Sequence, residues 1–129
     1  MSNLFLVMAG GAIGAALRYE LGRTALRLAG PGYPWGTLAA NVLGGFVMGL
    51  VAGWLAARYE GANGEQIRLF LAVGILGGFT TFSAFSLETM LMMQRGDWLG
   101  ALGYVTVSVV ASIAALALGL AMMRTGAAA

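Results

Sequence analysis

The sequence predicts an all-α integral membrane protein with four transmembrane helices and a break in the third. Three observations lead to this class. Of the 129 residues, 60% are hydrophobic and only 9% are charged, whereas a soluble domain carries about 25% charged residues. The apolar residues are gathered in four long runs, and the third run is interrupted by a polar motif. A chain of this length is expected to form one domain, here a membrane channel domain over residues 1–129.

The four runs are long enough to cross a bilayer, since about 20 apolar residues span the hydrocarbon core as a helix. The first run is short before Arg18, but an arginine near a helix end can extend its charge to the interface. Glycine and proline in GPGYP (30–34) separate the first two helices, and polar residues follow at 58–66 and 94–97. We expect helices at about residues 3–22, 35–57, 67–93 and 98–123.

The arginines are balanced between the two ends of the predicted bundle. Lysine is absent, so arginine alone can supply the excess of positive charge that orients a membrane protein. With no excess on either side, the chain is able to insert both ways, and two opposed copies would pair as an antiparallel homodimer. Alternatively, Arg18 or another factor imposes one orientation. The balanced arginines are Arg23, Arg27 and Arg95 at one end and Arg58, Arg68 and Arg124 at the other.

Glycines recur at helical spacing in the first and second runs. Gly10 and Gly14 are four residues apart, and so are Gly45, Gly49 and Gly53. Small residues at this spacing let two helix backbones approach in lipid and gain van der Waals contact. The spacing therefore predicts a compact bundle or an oligomer, without indicating a particular function.

Polar side chains also lie within the predicted spans. Asn41 is one turn after Thr37 in the second helix, and Tyr104, Ser108 and Ser112 share one face of the fourth. Such groups either bridge helices by hydrogen bonds or line a polar path. The stripe of three, with an asparagine available from another helix, favours the path.

The third run contains GILGGFTTFSAFSLET (74–89), which favours a local break in the helix. Gly77 and Gly78 each weaken a helix by about 1 kcal/mol relative to alanine, and the hydroxyls of Thr80 and Thr81 compete for backbone hydrogen bonds. Non-helical backbone at membrane depth persists only where protein or water covers it. Carbonyl groups freed at such a break can hold a cation.

Two phenylalanines follow this break on nearly the same helix face, Phe82 and Phe85. The edge of a phenyl ring carries positive partial charge, so rings turned edge-on to a dry pore can attract a small anion. The alternative is that both rings pack in the core.

Enzymatic and nucleic-acid functions have little support in the composition. The chain has no cysteine and no histidine, so thiolate chemistry and the usual proton shuttle are absent. The five acidic residues are scattered, and no serine has a histidine or lysine to activate it. A net charge of +2 does not form the basic patch that a nucleic acid requires.

The sequence resembles the Fluc/CrcB fluoride channels through motifs on all four predicted helices. These are GGAIGAALRY (10–19), WGTLAANVLGGFVMG (35–49), GILGGFTTFSAFSLET (74–89) and YVTVSVVAS (104–112). The resemblance implies a passive, fluoride-selective channel that exports cytoplasmic fluoride. It also implies an antiparallel homodimer with two pores and a sodium ion at its centre, in the plasma (inner) membrane of a prokaryote.

The resemblance also implies roles for individual residues. Arg18 would draw anions to the vestibule, and the backbone carbonyls of Gly77 and Thr80 would bind sodium. Glu88 matches an acidic residue after the break whose role stays open. Ala84 departs from the family pattern, which more often has Thr or Ser there. This departure affects the expected rate of conduction more than the assignment to the family. The fluoride pathway would comprise Asn41, Phe82, Phe85, Tyr104, Ser108, Ser112, Thr37 and Ser83.

Two other functions fit a small four-helix membrane protein. A dual-topology, proton-coupled multidrug exporter has similar dimensions, but it needs a membrane-embedded carboxylate that exchanges protons for drug. Glu88 is the only candidate within a span, and Glu20 follows the first run. A purely structural assembly helper would leave the polar stripe without a purpose.

Overall fold

A computed structural model describes residues 2–58 and 62–128, and all regular elements in these two ranges are helical. Four helical stretches are long and apolar enough to cross a membrane: Ser2–Ala29, Trp35–Arg58, Asn63–Gln94 and Trp98–Arg124. The prediction of four membrane-spanning helices is therefore confirmed, and the chain is a multi-pass membrane protein. The elements are α1 (Ser2–Ala29), α2 (Trp35–Arg58), α3 (Ala62–Arg68), a π-helix (Leu69–Leu76), α4 (Gly77–Phe79), α5 (Phe82–Gln94) and α6 (Trp98–Ala128).

Three helices begin or end outside the expected bounds, and one of them is α6, which continues to Ala128 instead of ending near residue 123. α1 continues to Ala29 instead of ending near residue 22. Arg23, on the added turns, pairs with Glu20 at 3.1 Å. The helix ends where Gly30 takes φ of +77°, a conformation that glycine adopts at little cost. Residues 62–66 were expected in a polar connection, but they belong to α3, which the Glu65–Arg68 pair at 2.7 Å supports. Residues 59–61 of that connection lie outside the described ranges.

α1 packs against the π-helix and α4 through its glycines. A Cβ at Gly10 would lie 2.9 Å from the Cα of Gly74, and one at Gly14 would meet the backbone of Ile75 and Phe79. Because no side chain separates the backbones here, the third span lies directly on α1. This close approach brings Arg18 of α1 to the end of α4.

α2 and α6 form the most extensive helix pair. A Cβ at Gly45 would lie 2.8 Å from the carbonyl oxygen of Ser112, and one at Gly49 would collide with the backbone of Leu116. The predicted close packing at these glycines is thus an α2–α6 contact within one chain. This contact sets the axial position of Asn41, one turn before Gly45, relative to Ser108 and Ser112 on α6.

Candidate functional site

The backbone leaves helical geometry at Thr80 and Thr81, between α4 and α5. Thr80 has φ −84° and ψ 159°, and Thr81 has φ −152° and ψ 123°, so both are extended. The Thr80 amide still donates to the Leu76 carbonyl at 3.0 Å, closing the last helical turn. Thr81 then caps α5, because its Oγ1 accepts a hydrogen bond from the Ala84 amide at 3.1 Å. We refer to this segment as the Thr80–Thr81 interruption.

Asn41 of α2 pairs with the backbone of Thr81 in both directions. Its Nδ2 donates to the Thr81 carbonyl at 3.0 Å, and its Oδ1 accepts from the Thr81 amide at 2.8 Å. A backbone amide and carbonyl away from water need such partners. The side chain of Asn41 thus replaces the helical hydrogen bonds that Thr81 lacks, and one of its two N–H groups remains to donate elsewhere.

The interruption also leaves carbonyl groups at the end of α4 without helical donors. The Arg18 guanidinium satisfies one of them, since Nε donates to the Gly78 carbonyl at 3.3 Å. Among the described residues, no donor reaches the carbonyl oxygens of Gly77 or Thr80, because Thr81 and Ala84 donate to side chains instead. Gly77 is exposed on the surface of the single chain. The carbonyl groups of Gly77 and Thr80, on either side of the end of α4, are therefore left without a donor among the described residues.

A central cavity of about 400 Å³ lies beside the interruption. The described residues that line it are apolar except for amide and hydroxyl groups, and none of them has an ionisable side chain. The Oγ atoms of Ser108 and Ser112 are buried and have no hydrogen-bond partner in the described part of the chain. Each is therefore a polar group whose hydrogen-bonding capacity is unused. The lining residues with polar or aromatic side chains are Asn41, Thr80, Thr81, Phe82, Phe85, Ser108 and Ser112.

Two phenyl rings border this cavity. The ring centroids of Phe82 and Phe85 are 5.6 Å apart and the ring planes are inclined at 46°. Phe85 is partly buried against Tyr104, with centroids 5.2 Å apart. Phe82 is 79% exposed although it lines the cavity. A single chain therefore does not enclose this cavity.

A second cavity of about 350 Å³, the loop-side cavity, lies under the loop that joins α1 to α2. Glu88 lines it, and its two carboxylate oxygens accept hydrogen bonds from Thr37 Oγ1 at 2.6 Å and from Tyr104 OH at 3.4 Å. Tyr33 and Arg95 line it as well. Burial, and secondly the negative charge of Asp97, raise the pKa of the Tyr33 hydroxyl above its usual value. Tyr33 thus presents a neutral hydroxyl at neutral pH.

The sequence matches one protein family over most of its length. The family model described as "CrcB-like protein, Camphor Resistance (CrcB)" matches residues 5–120. The chain belongs to the CrcB family.

Similar proteins agree with this assignment. A CrcB-family relative from Phenylobacterium zucineum (strain HLK1) is 57% identical over 124 residues, which cover 96% of this chain and 97% of the relative. Relatives from Mesorhizobium japonicum (strain LMG 29417 / CECT 9101 / MAFF 303099) and Hyphomonas neptunium (strain ATCC 15444) are 53% and 52% identical, over 97% and 96% of this chain and 98% and 97% of their own lengths. Each of the three is named "Fluoride-specific ion channel FluC".

In this CrcB-family chain, the residues predicted for the pathway, the vestibule and the sodium site, together with Glu88, divide between the cavities. Thr37 and Glu88 line the loop-side cavity, while Tyr104 lies between the two cavities. Arg18 lines a third cavity, of about 290 Å³, which Thr37 also borders. Ser83 is exposed, with its Oγ 3.4 Å from Thr81 Oγ1. The predicted residues that line the central cavity are Asn41, Thr80, Phe82, Phe85, Ser108 and Ser112.

Sequence reasoning missed two residues of this CrcB-family site. Thr81 was assigned only a part in weakening the helix, yet it caps α5 and is the partner of Asn41. The preference of helix N-caps for threonine could have revealed the first of these roles. Tyr33 lies in the loop after α1 and reaches Tyr104, with ring centroids 5.6 Å apart. No local pattern distinguishes Tyr33 from other loop aromatics.

Proposed function

We propose that the chain is a passive fluoride channel, and that the anion passes along the central cavity. The observation that carries this proposal is the pair of buried, unpaired hydroxyls of Ser108 and Ser112 beside Asn41. Fluoride is small and strongly hydrated, so a pore must replace its water with hydrogen-bond donors. Hydroxyls and an amide N–H supply such donors. The names of the relatives, "Fluoride-specific ion channel FluC", support the same ion for this chain.

None of the described residues that line the central cavity is charged, and this suits ion conduction better than tight ion binding. An ion must bind strongly enough to enter a pore and weakly enough to leave it. An arginine in the narrow part would hold an anion in place, whereas neutral donors and the ring edges of Phe82 and Phe85 attract it weakly. Arg18 borders a separate cavity, where its charge can concentrate anions before they enter the pore. Nothing in this arrangement requires bond chemistry, so the proposed activity is not enzymatic.

Reconstitution in liposomes tests this function directly. Vesicles loaded with fluoride and carrying the purified protein are expected to release it when a potassium ionophore removes the opposing potential. Vesicles loaded with chloride are expected to retain it. Fluoride retained as in protein-free vesicles would refute the proposal. Proton-coupled release of an organic cation would favour the multidrug exporter, although Glu88, the carboxylate that such a mechanism needs, is already bound by Thr37 and Tyr104.

We propose an antiparallel homodimer, because the balanced arginines allow both orientations and the Thr80–Thr81 interruption is not fully covered within one chain. We place the interruption at mid-membrane as the break in the third transmembrane helix, where exposed backbone must be covered by protein or water. A second copy in the opposite orientation would cover Gly77 and Phe82 and complete two separate pores. Since the chain lacks cysteine, the variant Gln94→Cys, at an exposed position before the connection to α6, provides a unique probe. Impermeant thiol reagents should label about half of it from each side, whereas labelling from one side only would contradict dual topology.

A sodium ion at the dimer centre fits the unpaired carbonyl groups. The carbonyl oxygens of Gly77 and Thr80 would hold it, since carbonyls freed by a discontinuous helix coordinate sodium in transporters. The ion would neutralise the partial negative charge at the C-terminal end of α4 in both subunits. We expect fluoride efflux to slow when N-methyl-D-glucamine replaces sodium on both sides. The variant Thr80→Ala keeps its carbonyl and should retain that dependence. Equal rates with and without sodium would argue against a required ion.

In the cell, we place the protein in the inner membrane of a bacterium, with the lipid bilayer around the four spanning helices. A potential that is negative inside would drive fluoride out through a passive pore. The relatives from bacteria support this location. Cells that express the protein should then hold less fluoride than cells without it in acidic medium. Equal internal fluoride in the two strains would contradict an export role.

A further inference from the structure

A row of aromatic rings links the loop after α1 to the central cavity. Tyr33 contacts Trp35 on one side, with centroids 4.9 Å apart, and Tyr104 on the other, at 5.6 Å. Tyr104 contacts Phe85 at 5.2 Å, and Phe85 contacts Phe82 at 5.6 Å. Each separation lies in the range where aromatic pairs attract beyond simple burial.

Tyr104 lies in the middle of this row, between Tyr33 and Phe85. It is fully buried, and it belongs to the core cluster against which Tyr33 and Phe85 both pack. The plane of the Tyr104 ring is inclined at 85° to the Tyr33 ring, an edge-to-face arrangement, and at 46° to the Phe85 ring. The ring of Tyr104 is therefore held between a loop residue and a residue that lines the central cavity.

The loop fixes Tyr33 in turn. The amide of Gly30 closes the last turn of α1 on Leu26 at 2.9 Å, and the amide of Trp35 donates to the Tyr33 carbonyl at 2.8 Å. Pro34 adds a restricted backbone angle between Tyr33 and α2. The Tyr33 side chain is thus presented to Tyr104 by a short and constrained loop.

We propose that Tyr33 is a positioning residue of the anion route, whose ring holds Tyr104 and, through Tyr104, the ring of Phe85. This proposal rests on the fluoride conduction proposed above and adds a residue outside the transmembrane helices to it. Tyr33 itself does not line the central cavity. Its contribution depends on the ring and not on the hydroxyl, because the contact with Tyr104 is between rings.

The test is fluoride efflux from liposomes with variants at Tyr33. Tyr33→Leu removes the ring and is expected to slow efflux by about 2- to 10-fold, the factor that an aromatic pair supplies. Tyr33→Phe keeps the ring and should restore a rate close to that of the unaltered protein. Trp98→Leu is the control, because Trp98 is 61% exposed and lines none of the three cavities.

A double variant separates positioning from a general loss of structure. If Tyr33 acts through Phe85, Tyr33→Leu should slow efflux less in a Phe85→Leu background than in the original chain. Additive losses would overturn the proposal, and so would an unchanged rate in Tyr33→Leu or an equal loss in Tyr33→Phe. Tyr33→Met, whose longer and more flexible side chain adapts to the same space without a ring, serves if Tyr33→Leu does not fold. Failure of the unaltered protein to release fluoride would instead refute the channel itself.

Discussion

The variant Asn41→Ala is expected to abolish fluoride efflux, with a loss of about 100-fold or more, equivalent to a barrier raised by about 2.7 kcal/mol. Two physical losses combine in this variant. The free N–H of the amide no longer donates to the ion, and hydrogen bonds to a charged group contribute about 1.5–3 kcal/mol. In addition, the amide and carbonyl of Thr81 lose their partner.

The second loss distinguishes Asn41 from an ordinary pore-lining residue. A buried polar group without a partner costs about 1–3 kcal/mol, and Thr81 would carry two such groups. Thr81 also caps α5, so its displacement would move Phe82, the next residue. Asn41→Ala should therefore lower the thermal stability of the protein as well as its rate of fluoride efflux, while the proposed dimer is expected to persist on gel filtration.

Asn41→Asp separates the two roles. A carboxylate can still accept from the Thr81 amide, but it cannot donate to the Thr81 carbonyl or to fluoride, and its charge repels the anion. We expect Asn41→Asp to conduct no fluoride and to lose less thermal stability than Asn41→Ala. Asn63→Ala is the matched control, since Asn63 is exposed on α3 and lines none of the cavities. Normal efflux from Asn41→Ala vesicles would remove this residue from the pathway.

Patterns local to the chain predicted much of the architecture. Hydrophobic runs predicted four membrane-spanning helices, and glycine spacing predicted close backbone contacts, which the structure shows for Gly10 with the π-helix and Gly45 with α6. Helical spacing also predicted that the rings of Phe82 and Phe85 lie together. Each of these properties depends on residues within a single helix, so they can be read from one sequence.

The partners of the polar side chains could not be predicted in the same way. Asn41 and Thr81 are 40 residues apart, and Arg18 and Gly78 are 60 apart. Each pairing depends on the axial register of one helix against another. The close backbone contacts at glycines such as Gly14, where an added Cβ would collide, set this register. The position of Asn41 on α2 indicated a polar path. It did not indicate that the amide would hydrogen-bond to the backbone of Thr81 in another helix. The π-helix of Leu69–Leu76 likewise had no signal in the sequence.

Phe82→Ile is also expected to abolish conduction, for a reason that differs from that of Asn41. Isoleucine keeps the apolar character of the position but has no ring edge, so the positive partial charge offered to the anion is lost. That charge acts in a cavity whose other lining is mostly apolar, where electrostatic interactions are weakly screened. A barrier raised by about 2.7 kcal/mol is enough to reduce efflux about 100-fold.

The stability of the single chain should change little in Phe82→Ile. In the proposed dimer a second copy would cover Phe82, so gel filtration of the variant checks that the dimer still forms. Phe82 is 79% exposed in the single chain, and substitutions at exposed positions usually alter stability by no more than about 0.5 kcal/mol. Phe5→Ile is the matched control, since Phe5 is 58% exposed on α1 and lines none of the cavities. Vesicles that carry the folded Phe82→Ile protein are expected to retain fluoride, whereas vesicles with Phe5→Ile are expected to release it at the normal rate. Efflux that survives in Phe82→Ile would show that the anion passes without the ring, and the route would then have to follow Asn41 and the serine stripe alone.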